Sequence, residues 1–155
     1  GAIYIDADNV SYKCIDDIIT KSSDYNIISK KIYADWTHES MKKTFELSMD
    51  LCTVGWNAYA AMALPGSKLY KDAINNSYEM PEDYEGYSFH SYNTQPLPTE
   101  NLLPKEILKY RDECYIKYHS SKEFLEKIRK HYGKKSVENI SKMAKIKLKR
   151  KINGD

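Results

Sequence analysis

This chain has little cysteine, no long apolar run and no repeat, and each shortage closes off a class of protein. Cys14, Cys52 and Cys114 are few, odd in number and far apart, which argues against a disulfide framework and against the paired spacing of a zinc motif. Each reads instead as a small apolar side chain, Cys52 above all, because it ends an amphipathic stretch. No uncharged run approaches the length of a membrane span, and no charged-then-apolar leader opens the sequence. A cytosolic protein without a membrane partner is therefore expected. Internal repeats and low-complexity tracts are missing as well.

What is present is ordinary in bulk and uneven in detail. The 155 residues suffice for one domain with a sizeable core, and 41% hydrophobic with 30% charged residues is a globular composition. The net charge of +2 hides an asymmetry. The first fifty residues are acid-rich, whereas from Lys127 to Lys151 Glu138 is the lone acid. That basic tail has two readings. Its positive charges suit solvated helix flanks and a helix end, and they also suit an RNA contact through Lys147, Lys149 and Arg150. The oligomeric state stays open.

Trp56 to Tyr70 is the stretch around which the rest is arranged. Residues 56–64 are almost uncharged, a pattern that predicts a strand buried on both faces, and Pro65-Gly66 ends it. Ser67 then caps a short helix with Leu69, Tyr70, Ala73 and Ile74 turned inward. The carboxyl end of such a strand is where ligands sit in a parallel sheet. An ordinary buried strand and turn explains the same pattern.

The remaining elements follow in order. Ala2–Asp6 predicts a strand, Tyr12–Thr20 a helix, and residues 27–36 a second strand, together a right-handed βαβ unit. Residues 38–52 carry Met41, Phe45, Met49 and Cys52 as one helical stripe. Residues 76–103 form a long, aromatic-rich loop that holds His90. Pro104 starts a helix to about His119. Ser121 starts another that ends at Gly133, and Ser136 caps a last one with Val137, Ile140, Ala144 and Leu148 in register. The fold class expected is α/β: a small three-stranded parallel sheet (2–6, 27–35, 56–64), then the loop, then C-terminal helices.

Two resemblances add to this. Met62 to Tyr70, Met-Ala-Leu-Pro-Gly-Ser-Lys-Leu-Tyr, resembles the turn after the last core strand of radical S-adenosylmethionine enzymes that carry a cobalamin-binding domain. The likeness continues through Ser40–Thr44, Leu47–Leu51, Tyr84–Tyr92, Gln95–Thr99 and Met143–Lys151, and so covers about residues 38 to 153. It implies that the backbone at Met62, Ala63 and Leu64 lies beside the adenine of S-adenosylmethionine. It also implies an iron–sulfur cluster and cobalamin in the parent enzyme. The cluster needs three closely spaced cysteines. Cys14, Cys52 and Cys114 are not spaced so, and no cofactor is expected in this chain.

Ile3-Tyr4-Ile5-Asp6-Ala7-Asp8-Asn9-Val10 and Tyr33-Ala34-Asp35-Trp36 resemble the opening strands of NYN domains, PIN-like metal-dependent ribonucleases. This second likeness implies that Asp6, with Asn9 and with Asp8 as a helper, takes part in a magnesium or manganese site. Hard cations need several oxygen ligands, and no matching segment after Trp36 supplies the others. A turn and helix cap is the other reading of these three residues. The composite expectation is a partial NYN-type arm (1–36) joined to a radical-enzyme C-terminal segment (37–155), without turnover of its own. A metal-dependent ribonuclease using Asp6 and Asp8 is the first alternative, and a non-catalytic RNA-binding module using the basic C-terminal helix is the second.

Overall fold

The computed structural model describes residues 2–6, 17, 20–21, 29–33 and 37–155. The chain divides into two compact units, Gly1–Trp36 and Thr37–Asp155. In the first, β1 (Ala2–Asp6) pairs in parallel with β2 (Ser29–Tyr33), with Ala2 opposite Ser29 and Asp6 opposite Tyr33. Residues 17, 20 and 21 are helical. The rest of the expected helix over Tyr12–Thr20 lies outside the described residues.

The second unit is helical. Thr37 opens α1 (His38–Leu51) by reciprocal capping: Ser40 N–H donates to Thr37 Oγ1 at 3.2 Å, and Thr37 N–H to Ser40 Oγ at 2.7 Å. Cys52 ends it in the left-handed conformation, φ 39°. Ser67 caps α2 (Lys68–Asn75), accepting from Tyr70 N–H at 3.0 Å. Pro104 begins α3 (Pro104–His119), where its missing N–H costs no helical bond. Here Glu106 Oε2 accepts from Leu103 N–H at 2.8 Å. Ser121 caps α4 (Lys122–Met143).

Two apolar clusters hold this unit. Phe45 of α1, Cys114 and Tyr118 of α3, and Phe124 and Ile128 of α4 form the larger one. Trp56 closes it, with its ring edge-on to Phe45 at 5.5 Å and stacked on Tyr118 at 6.2 Å. Ala63, Ala73 and Leu97 form the smaller one, with Tyr70 and Met80 against it.

The expected three-stranded α/β fold is not what forms. Among the described residues the sheet has two strands, and residues 56–64 are neither strand nor helix. A strand needs a neighbouring ladder, and this segment's neighbours are helices and loop. Four of its nine residues are alanines, which are depleted in strands. Its carbonyls are satisfied otherwise. Ala58 O accepts from Arg111 Nε at 3.1 Å, and Ala61 O from Leu97 N–H at 2.9 Å.

Smaller corrections follow from local geometry. In α2 only Ala73 is buried, while Leu69 and Ile74 are 44% and 50% exposed. Eight residues present one narrow stripe to Leu97 and Ala63, and the flanking side chains are left outside. Gly133, at φ 82° and ψ 175°, breaks α4 into two helical stretches, so the helix from Ser121 ends there as expected. Ser136 lies inside the second stretch rather than capping it, and its Oγ donates to Tyr132 O at 3.0 Å. The helix stops at Met143, so Leu148 and the last lysines lie beyond it.

Candidate functional site

The inward stripe of α3 reads Leu108, Arg111, Cys114, Tyr118, at helical spacing, and so carries a guanidinium into the interior. Arg111 is 5% exposed. Its Nε donates to Ala58 O, its Nη2 to Asn57 Oδ1 at 2.7 Å and its Nη1 to Asp112 Oδ1 at 2.8 Å. Arg150, 0% exposed, meets the same carboxylate from the far end of the chain. Its Nε and Nη2 donate to Asp112 Oδ2 and Oδ1 at 2.9 and 3.0 Å. Its Nη1 donates to Ser91 O at 3.0 Å and to Thr94 Oγ1 at 2.8 Å.

Two buried guanidiniums thus share one carboxylate. Each donates to well-placed acceptors, and among the described residues no buried side-chain nitrogen or oxygen lacks a partner. The three groups sum to one positive charge, and Asp155 Oδ2, which accepts from Arg150 N–H at 3.0 Å, places a second carboxylate beside them.

Above this network lies an open cleft of about 870 Å³. Lys105, Lys109, Asp112 and Ile116 line one wall, at intervals of four, three and four residues along α3. Met143, Ile146, Lys147 and Leu148 line the other, and His90 reaches it from the loop. Among the described residues Lys105, Lys109 and Lys147 have no ion-pair partner. Of the acids, Asp112 is held by the two arginines. Glu106 accepts from Leu103 and lies 3.7 Å from His38. Asp155 accepts from Arg150 N–H. Among the described residues Glu113 has no ion-pair partner.

The residues singled out from the sequence are scattered. Ala63 is 3% exposed inside the smaller cluster, Met62 is half-buried and Leu64 is 54% exposed. Met62 O accepts from Leu64 N–H at 3.0 Å. Asp6 closes β1, but its side chain, like Asp8 and Asn9, lies outside the described residues. Among the described residues no three His, Cys, Asp or Glu side chains converge as metal ligands would. Lys147 and Lys149 are exposed, whereas Arg150, grouped with them as an RNA contact, is sealed inside.

His119 is a core residue. Its Nδ1 lies 2.8 Å from Tyr115 O, its ring packs against Tyr115, Tyr118 and Phe124, and burial pulls its pKa below the ordinary value. Burial pushes the Cys114 thiol up to about 11, and Tyr110 beside it rises for the same reason. Neither is tuned for reaction near neutral pH.

Sequence reading missed the arginine pair and the cleft. Arg111 was visible as a charge on the Leu108–Tyr118 stripe; Arg150 had no comparable local signal. No helix of the described residues is long and apolar enough to cross a membrane. Comparison with protein-family models, curated proteins and solved structures gives no match.

Proposed function

We propose that residues 38–153 act as the closing segment of a cobalamin-type radical S-adenosylmethionine enzyme and that this polypeptide performs no turnover alone. The ordered likeness of its segments to that family is the sequence basis. The observation that carries the reading is the state of residues 56–63. Among the described residues none of their backbone N–H groups donates a hydrogen bond. Tyr59 and Leu64 beside them are 64% and 54% exposed. Exposed apolar side chains on a segment outside any regular element suit a surface completed by another polypeptide. The backbone at Met62, Ala63 and Leu64 would then line the adenine side of a site whose cluster and cobalamin belong to that partner.

The test is direct. The purified chain, supplied with iron, sulfide, dithionite and S-adenosylmethionine, is expected to form no 5′-deoxyadenosine. Formation in proportion to the protein overturns the reading. So does magnesium- or manganese-dependent RNA cleavage that Asp6→Asn abolishes, which would select the ribonuclease alternative.

A further inference from the structure

We infer that the exposed side of α4 around Gly133 is a binding surface for single-stranded nucleic acid, with the Tyr132 ring as a stacking platform and Arg129, Lys130, Lys135 and Lys142 on phosphates. This does not rest on the reading above, which uses residues 56–64.

Charge here is one-sided with every acid counted. Residues 122–151 hold twelve Lys and Arg against three acids, while the other 125 residues hold twelve against nineteen. Of the twelve, Arg150 is engaged by Asp112, and Lys127 donates to Cys52 O. Two of the three acids are engaged within the helix, Glu126 with Lys122 at 3.9 Å and Glu138 with Lys134 at 3.8 Å. Glu123 is the third. Among the described residues Arg129, Lys130, Lys135 and Lys142 have no ion-pair partner, and all four are exposed. A surface built only for solvation intersperses its signs. A field of one sign draws a polyanion.

An aromatic ring stands among these charges. Tyr132 is 59% exposed, with the His131 ring tilted beside it at 6.4 Å. It follows Arg129 by three residues, so the two share a helix face, and base stacking on such a ring is indifferent to sequence. At the break a hollow of about 340 Å³ is lined by Leu125 and Arg129 from the first stretch and Val137 from the second, with the Lys122–Glu126 pair at its edge. That volume suits one nucleoside rather than a larger ligand. An anionic membrane would need an apolar stripe along the helix. Lys135, Glu138, Asn139 and Lys142 occupy the exposed positions instead, and Met143 and Ile146 come only at the end.

Fluorescence anisotropy of the full chain with labelled oligouridylate and oligothymidylate of about twelve nucleotides tests this. Saturable binding of either supports the proposal, and the tighter one names the polymer. Affinity should fall roughly twentyfold between about 50 and 200 mM salt, as three phosphate contacts require. Arg129→Gln with Lys135→Gln should weaken binding and flatten that salt dependence. Lys105→Gln with Lys109→Gln, which removes the same charge from α3, should change neither. Tyr132→Ala should weaken binding about tenfold with the salt dependence intact, and Tyr132→Phe should keep it. All these positions are exposed, and thermal melts confirm that the variants remain folded. The proposal is overturned by absent saturable binding, by equal losses in the two double variants, or by Tyr132→Ala without effect. Tighter binding to phosphatidylserine vesicles than to either oligonucleotide also overturns it.

Discussion

Asp112 takes Arg150 in a two-pronged grip, Nε on Oδ2 at 2.9 Å and Nη2 on Oδ1 at 3.0 Å, across 38 residues of sequence. This carboxylate also holds Arg111, so its loss and the loss of Arg150 are not equivalent. Asp112→Ala leaves two buried guanidiniums without a counter-charge and should cost about 3–5 kcal/mol. Arg150→Met leaves Asp112 still paired with Arg111, and a hydrophobic chain replaces a buried ion, so its cost should be smaller. Urea unfolding of both variants gives the ranking; equal costs would mean that Arg111 does not depend on Asp112.

His119 makes the fold sensitive to mild acid. Burial, opposed by Tyr115 O and reinforced by Arg111, holds its folded pKa below the ordinary 6.5. The unfolded chain therefore takes the proton more readily. The resulting stability is present above about pH 6.5 and is lost as the pH falls from there through the folded value. The melting temperature should drop between pH 7.5 and 5.5, and His119→Phe should remove part of that drop.

Two glycines separate strain from crowding. At Gly133, φ is 82° and ψ 175°, a backbone region nearly closed to residues with a Cβ, although an added Cβ meets nothing within 4 Å, so Gly133→Ala should lose about 1–3 kcal/mol to backbone strain alone. At Gly86 an added Cβ would stand 2.4 Å from Pro81 Cβ and 3.3 Å from Asn93 O. Gly86→Ala must displace a rigid ring and should cost about 1–3 kcal/mol or more. Thermal melts should show both variants destabilised, and an unchanged melting temperature for either would contradict its strain or its crowding.

Thiol chemistry should distinguish two cysteines of one core. Cys114 is 4% exposed with its thiol pushed up to about 11, so almost none is thiolate at pH 8. Cys52 is half-buried at a helix end. Iodoacetamide at pH 8, followed by peptide mapping, should mark Cys52 first and Cys114 only after denaturant is added. Comparable labelling of both in the folded protein would contradict the burial of Cys114.

The helices of the second unit could be read where local chemistry marks them. Pro104 and Ser121 start helices as their residue types require, and the Met41–Phe45 stripe faces inward at the expected spacing. Trp56–Leu64 misled because a short apolar run does not say whether a neighbour will supply a ladder, and four alanines weaken the case for one. Gly133 was legible, because glycine tolerates the positive φ at which the helix from Ser121 breaks. The candidate site was least legible. Arg150 lies among lysines and looks solvated, and its partner Asp112 is reachable only through the fold. Even Arg111, on an otherwise apolar stripe, could be read as a boundary residue until Asn57 and Ala58 were seen to meet it.

The burial of Arg150 also decides how the chain's tail meets a protease. Trypsin recognises basic side chains, and Lys147 and Lys149 stand in solvent, but the guanidinium of the next residue, Arg150, is occupied by Asp112, Ser91 and Thr94. Digestion of the folded protein would therefore nick the lysines and pass over the arginine between Lys149 and Lys151.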